Sequence, residues 1–238
     1  MSEEDDLFHT TIPLALESLE QSDSFEAVAR LLTAGEPRRV MKCFDLAIRE
    51  LFTQRKLPQM VWMGRAGIDF ALREAHAAGD AELRGDLVAA ARKLSHNVSS
   101  HLWPGWADEA VSPTMSDLQA ALDLARVHYR LVLEESLDAE SVGNARWLVG
   151  AQRLAVGQEQ VAHHAFETAK ASYKEAGKPA SEWMAEGFLA LSLQMMGTMA
   201  TEGQRRFDAA TEELQKLGDD GEFFADQLRT ARRVFLAR

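Results

Sequence analysis

Apolar side chains recur every three or four residues along most of the chain, which is the spacing of one face of an α-helix. No stretch alternates apolar and polar residues between the Asn-Gly or Asp-Gly pairs typical of β-hairpins. The pattern therefore predicts an all-α protein. Two of the clearest stripes are formed by Leu118, Leu122, Ala125, Tyr129 and Val132, and by Met184, Phe188, Leu191, Met195 and Met199.

Prolines and glycines divide this pattern into separate helices, because proline lacks a backbone donor and glycine favours helix ends. All six prolines stand where a helical pattern begins or breaks. Short connections between long helices should place consecutive helices antiparallel to each other. The predicted helices span approximately residues 12–20, 24–34, 38–56, 59–78, 81–100, 114–136, 139–156, 159–176, 181–197, 199–217 and 221–237.

The one long interruption of the helical pattern covers residues 99–113 and contains Trp103 and Trp106 beside a Pro-Gly pair. Linkers between domains are seldom this aromatic, so we interpret the segment as a packed connection inside one continuous helical array. The predicted organisation is an acidic N-terminal tail with a short helix over residues 1–22. A single all-α domain follows over residues 23–238.

Small residues in the segment 145–169 are spaced as in a tight helical hairpin. Small side chains let two helix backbones approach closely, while an aromatic ring fills the groove to the next hairpin. The residues expected in these packing roles are Gly150, Gly157, Ala162, Phe166 and Ala169. Their successive spacings of seven, five, four and three residues resemble those of a tetratricopeptide repeat.

This resemblance implies antiparallel helical hairpins stacked as a tetratricopeptide-like α-α superhelix. The clearest repeat covers residues 143–177, and a weaker second unit covers residues 181–217. The sequence departs from the family pattern at Arg153, where the family has an aromatic residue, and the next unit follows after 41 residues instead of the usual 34. A plain helical bundle whose alanines happen to align remains the alternative.

Composition and charge exclude several classes of protein. The chain has 26 Lys and Arg against 37 Asp and Glu, a formal charge of −11, and this acidic balance disfavours nucleic acid and anionic membranes as partners. A single cysteine excludes an internal disulfide and any Cys-x-x-Cys metal or redox site. The first six residues are acidic and no apolar signal core follows them, so we expect a cytoplasmic protein.

Motifs for catalysis or metal binding are missing from the sequence. None of the seven histidines belongs to a His-Glu-x-x-His or Glu-x-x-His pattern. Cys43 lies among apolar neighbours, which indicates an inert packing role. Nucleophile elbows, phosphate-binding loops and dinucleotide fingerprints do not occur. We therefore expect no catalytic centre, no cofactor and no metal.

The segment 95–109 nevertheless concentrates aromatic and titratable groups. Tryptophan walls with imidazole handles would suit a small ligand, and the candidate pocket residues are His96, His101, Trp103 and Trp106. In the alternative interpretation, both tryptophans simply plug the junction between two helical hairpins.

The resemblance also implies a binding groove lined by the first helix of each hairpin. In the best repeat the groove positions are Asn144, Arg146, Trp147, Ala151 and Leu154, with Trp147 as the best anchor. We therefore expect a non-catalytic scaffold or adaptor that binds a protein, peptide or helix. Self-association through residues 228–236 is a secondary expectation. A small-ligand sensor or enzyme using segment 95–109 and a structural subunit of a larger assembly remain as alternatives.

Overall fold

The computed structural model describes residues 10–197 and 199–237, and it confirms the all-α prediction for them. These residues form eleven α-helices and one 3-10 turn, and no β-strand occurs among them. The predicted acidic tail, Met1–Asp6, lies outside the described residues. The helices belong to two compact units that divide between His101 and Leu102.

Five helices form the first unit, and consecutive helices pack against each other. Asp23 caps the second helix by accepting a hydrogen bond from the backbone nitrogen of Glu26 at 2.8 Å. The fourth and fifth helices approach closely where a Cβ on Gly64 would lie 2.8 Å from the Val98 side chain. The helices are α1 (Ile12–Glu20), α2 (Ser24–Leu32), α3 (Pro37–Thr53), α4 (Leu57–Ala77) and α5 (Ala81–His101).

The second unit begins with the 3-10 turn Pro104–Trp106 and continues with six helices. Consecutive helices again pack against each other, and the last helix also contacts the ninth helix and the 3-10 turn. These helices are α6 (Met115–Glu134), α7 (Ala139–Ala155), α8 (Glu159–Glu175), α9 (Pro179–Met196), α10 (Ala200–Gln215) and α11 (Asp219–Leu236).

Side-chain caps fix where α6 and α7 begin. Thr114 and Asp117 form a reciprocal capping box, in which each side chain accepts a hydrogen bond from the other residue's backbone nitrogen. Asp138 accepts a hydrogen bond from the backbone nitrogen of Ser141 at 2.7 Å. These bonds satisfy donors that the first helical turn would otherwise leave unpaired.

The helices α7 and α8 approach each other closely at Gly150. A Cβ on this glycine would lie 2.7 Å from the ring of Phe166, which is fully buried and stacks on Phe188 of α9. Ala162 and Ala169 of α8 are also fully buried. Gly157 lies in the turn between α7 and α8 with φ of +72°, a conformation that glycine adopts without strain.

A buried carboxylate ties α9 to the helices on both sides of it. Glu186 forms an ion pair with Lys170 of α8 at 2.9 Å and another with Arg206 of α10 at 2.7 Å. Only 7% of Glu186 is exposed, so both cations compensate a charge that would be costly to bury alone.

The two units are compact groups of packed helices, and the single domain expected over residues 23–238 stays a prediction. The helix α1 packs on α2 and α3 of the first unit. The chain leaves α5 at His101, and Trp103 then enters the core of the second unit. The aromatic character of this connection therefore reflects its packing on one side of the division.

Candidate functional site

The segment Trp103–Trp106 lies across three helices of the second unit and forms the centre of its aromatic core. Only 2% of Trp103 is exposed, and its ring contacts one aromatic residue from each of α7, α9 and α11. We name this group the aromatic cluster. Its members are Trp103, Trp106, Trp147, Phe188 and Phe235.

Three ring contacts within the aromatic cluster are edge-to-face. The Trp103 ring meets the Trp106 ring at 4.8 Å and 87°, and it meets the Trp147 ring at 5.4 Å and 73°. The Trp147 ring in turn meets Phe188 at 5.4 Å and 73°. These distances and angles are those favoured by the quadrupoles of aromatic rings.

A hydrogen bond and a glycine fix the segment in place. The indole nitrogen of Trp103 donates to the carbonyl of Ala151 at 3.1 Å, which satisfies a buried donor. A Cβ on Gly105 would lie 2.3 Å from the Trp103 ring, so the ring requires a glycine at this position. The indole nitrogen of Trp147 is buried and has no acceptor among the described residues.

The predicted groove residues lie on more than one face of α7. Trp147, Ala151 and Leu154 are buried, so their side chains are not open to a partner in this structure. Asn144 is exposed and accepts a hydrogen bond from the hydroxyl of Tyr173. Arg146 lies away from the aromatic cluster and faces α6 and α8.

The four residues of the predicted ligand pocket divide between the two units. His96 and His101 belong to α5, and burial lowers the pKa of each imidazole. The His101 ring stacks on Phe52 of α3, with 4.1 Å between ring centroids. Trp103 and Trp106 belong to the aromatic cluster of the second unit.

A cavity of about 320 Å³ is lined by residues of α6, α7 and α8. We name it the arginine cavity. Three of its lining residues come from α7 at intervals of three and four positions, which places them on one helix face. The lining consists of Tyr129, Arg146, Val149, Arg153, Val161, His164, Ala165 and Thr168.

Neutral groups hold both arginines of this cavity. Arg146 donates from Nε to the Tyr129 hydroxyl at 3.1 Å, and from Nη1 to the Thr168 carbonyl and the Ser172 hydroxyl. Arg153 donates from Nη1 to the side-chain oxygen of Gln158 at 2.6 Å. No ion pair joins either arginine to a carboxylate among the described residues.

Burial lowers the pKa of Arg153, and the nearby positive charge of Arg126 lowers it further. Both effects disfavour the charged form of the Arg153 guanidinium. An anion beside Arg153 would favour that charged form and so oppose both effects.

A second arginine-lined cavity of about 290 Å³ lies at the end of the second unit and is lined by Phe207, Arg229, Arg232, Arg233 and Leu236. Arg229 is paired with Asp226 at 2.6 Å, and the Arg232 guanidinium lies over the Phe207 ring. Within the predicted self-association segment 228–236, Leu228 and Phe235 are buried in the core, whereas Leu236 is exposed.

One histidine and one serine lie at hydrogen-bond distance, but the geometry does not suit a nucleophile and its base. His163 Nδ1 is 2.8 Å from the hydroxyl of Ser192, and this hydroxyl donates to the carbonyl of Leu189 at 2.7 Å. The imidazole must therefore donate its own proton to the serine oxygen. Ser192 is also fully buried, out of reach of a substrate.

Other chemical groups give no further site. Cys43 is fully buried, and burial raises the pKa of its thiol, which disfavours the reactive thiolate. Across residues 10–197 and 199–237, no three His, Cys, Asp or Glu side chains form a group that could hold a metal ion. In the same residues, no helix combines the length and the apolar character required to span a bilayer.

Sequence reasoning missed the arginine cavity, although a signal for it exists. In the sequence, Arg153 was interpreted only as a departure from the repeat pattern. Its spacing of seven residues from Arg146, with Val149 between them, already places all three on one face of α7. The spacing of Val161 and Thr168 places these two residues on one face of α8 in the same way.

Comparison with known proteins gives no relative on which to base a function: no family model and no curated protein matches the chain.

Proposed function

We propose that the protein is a non-catalytic interaction scaffold whose second unit has a tetratricopeptide-like arrangement. In this arrangement α7 with α8 and α9 with α10 are successive hairpins, and α11 is the helix that follows them. The binding groove is lined by α7, α9 and α11. Its occupant is an extended segment that inserts an aromatic side chain between these helices.

The observation that supports this proposal is the position of the protein's own segment Trp103–Trp106. Trp103 contacts Trp147 of α7, Phe188 of α9 and Phe235 of α11, so one inserted ring touches all three helices. Chain outside the α-helices therefore already lies where the groove of such an array would hold a ligand. The native segment serves as a stand-in for a partner segment of similar chemistry.

Binding in this groove would depend on aromatic burial and on a hydrogen bond from the inserted indole to a helix carbonyl, as Trp103 makes with Ala151. Packed helices hold the contacting rings in place before binding, which lowers the entropic cost. The protein's own segment competes with any partner, so a partner must displace it. Replacing Trp103 by alanine vacates the centre of the groove at a stability cost of about 3–5 kcal/mol.

The test is a titration of a fluorescent peptide with the sequence Leu-Trp-Pro-Gly-Trp, followed by anisotropy. We expect the double variant Trp103→Ala/Trp106→Ala to bind this peptide and the wild type to bind it far more weakly. The matched control is Trp183→Ala, which removes a partly buried tryptophan of α9 outside the aromatic cluster. This control should behave as the wild type does.

Circular dichroism shows whether each variant is still helical, and absence of peptide binding is interpreted only for a helical variant. Absence of binding to a helical double variant would refute the proposal, and so would equal binding to the wild type and both variants. If the double variant is not helical, the single variant Trp106→Ala takes its place, because 40% of Trp106 is exposed and its loss leaves Trp103 anchored. That variant should bind the peptide more tightly than the wild type does.

A further inference from the structure

We propose that the arginine cavity binds a small organic anion, with a carboxylate or phosphate group held by Arg146 and Arg153 and an apolar body beside Val149 and Val161. The cavity lies between α6, α7 and α8 and shares no lining residue with the aromatic cluster. The inference therefore stands whether or not the groove binds a peptide.

Charge is the first argument for an anion. The chain carries a net charge of −11, yet both arginines of this cavity are held by neutral acceptors. Charges that are removed from water are favoured by a partner of opposite charge, and both arginines are partly buried. No carboxylate is among the residues that line the cavity. A bound anion supplies the compensation that the described residues do not.

Free donors are the second argument. A guanidinium carries five N–H donors, and Arg146 uses those on Nε and Nη1 in its bonds to Tyr129, Thr168 and Ser172. Its Nη2 has no partner among the described residues. Arg153 uses only Nη1, in its bond to Gln158. The remaining donors match the paired oxygens of a carboxylate or the oxygens of a phosphate.

Preorganisation is the third argument. Three hydrogen bonds hold the guanidinium of Arg146, which also lies 5.8 Å from the centroid of the Tyr129 ring. An arginine that is already fixed loses little side-chain entropy when it binds an anion. On an open surface a mobile arginine pays that cost at binding.

The shape and the remaining lining define the body of the ligand. Val149, Val161 and Ala165 provide an apolar surface, and Tyr129 adds an aromatic ring. The volume of about 320 Å³ lies at the lower end of the range for small-molecule sites. A single ring or a short alkyl chain that carries one anionic group fits this description.

The experiment is isothermal titration calorimetry of the full chain with benzoate and with phenyl phosphate, and with benzamide as the uncharged control. At least one of the two anions should bind, with an affinity that falls as salt is added, and benzamide should not bind. Absence of binding by both anions at millimolar concentration would overturn the proposal, as would equal binding of benzamide.

Matched variants locate the site. Arg153→Gln removes one charge and a single hydrogen bond, and it should weaken anion binding about tenfold or more. Arg233→Gln removes the same charge at an exposed position of the other arginine-lined cavity and should leave the affinity unchanged. Equal weakening by both variants, or by neither, would refute the assignment to the arginine cavity.

A variant without a charge change guards against a general electrostatic effect. Val161 is 45% exposed on α8, and Val161→Trp would fill the cavity from its open side. This variant should weaken anion binding while both arginines remain. Wild-type affinity in a helical Val161→Trp protein would contradict the proposed position of the apolar body.

Discussion

The close approach of α7 and α8 at Gly150 predicts that Gly150→Ala destabilises the protein. The added Cβ would lie 2.7 Å from Cε1 and 2.8 Å from Cδ1 of Phe166. Phe166 is fully buried and its ring stacks on Phe188, with 5.2 Å between centroids. The ring therefore cannot withdraw without displacing a second buried aromatic side chain.

Two opposing effects set the magnitude. Alanine in place of glycine stabilises a helix by about 1 kcal/mol, because the unfolded chain has less conformational freedom to lose. Overpacking of a core costs about 1–3 kcal/mol, and two contacts with a fixed ring favour the upper part of this range. We expect Gly150→Ala to lower the free energy of unfolding by about 1–2 kcal/mol, on balance.

The same substitution at Gly85 provides the matched control. Gly85 lies within α5, and a Cβ there would meet no atom within 4 Å. Only the helix propensity changes, so Gly85→Ala should raise the free energy of unfolding by about 0.5–1 kcal/mol. One chemical change at two positions should therefore have effects of opposite sign.

Urea unfolding followed by far-UV circular dichroism measures both effects. A double-mutant cycle tests the cause: Phe166→Leu removes the ring atoms that meet the new Cβ, so Gly150→Ala should cost less in that background. The reasoning would be refuted if Gly150→Ala stabilised the protein as Gly85→Ala does. An additive cycle would show that the Phe166 ring is not the source of the cost.

Two further predictions concern polar groups of the second unit. Glu186→Gln should lower the free energy of unfolding, measured in urea, by about 2–3 kcal/mol. This loss is smaller than that expected for a fully buried ion pair, because the Lys170 and Arg206 side chains are 34% and 30% exposed. An unchanged urea midpoint would contradict the prediction. Burial raises the pKa of the Tyr173 phenol, so its contribution to stability is complete below the unfolded pKa of about 10 and is lost as the pH rises above it. Tyr173→Phe removes the hydrogen bond to Asn144 and should lower the free energy of unfolding by about 1 kcal/mol at neutral pH. The free energy of unfolding of this variant should also fall less steeply than that of the wild type at alkaline pH. Equal alkaline slopes in the two proteins would argue against this role of Tyr173.

The helices could be predicted because their signals are local. Proline at the start of α3 and of α9, and glycine with positive φ after α8, mark helix ends through the geometry of one or two residues. Between these helix ends, apolar side chains spaced three or four residues apart predict the helix itself. The structure has a helix in every interval that the sequence analysis marked, with ends that differ by a few residues.

The site could not be predicted in the same way, because its contacts join residues far apart in the chain. Trp103 donates to Ala151 across 48 positions, and its ring meets Phe235 at the other end of the unit. The sequence shows an aromatic segment but not which helices receive it. Trp147 was therefore expected to be an anchor accessible to a partner, whereas only 8% of its surface is exposed. The same limit applies to the boundary at His101, which depends on the packing of Trp103.

For the proposed groove, the aromatic cluster also indicates what a partner would have to offer to replace the native segment. A tethered segment competes at a high effective concentration, so we expect an equivalent free peptide to bind the wild type poorly. The native arrangement nevertheless leaves the buried indole nitrogen of Trp147 without an acceptor among the described residues. A buried unpaired donor costs about 1–3 kcal/mol, and an occupant that brings a carbonyl to this nitrogen recovers that energy. A partner of the proposed groove would therefore gain over the native segment by satisfying Trp147, whereas another tryptophan in the place of Trp103 would bring no such advantage, because only 2% of the native ring is exposed.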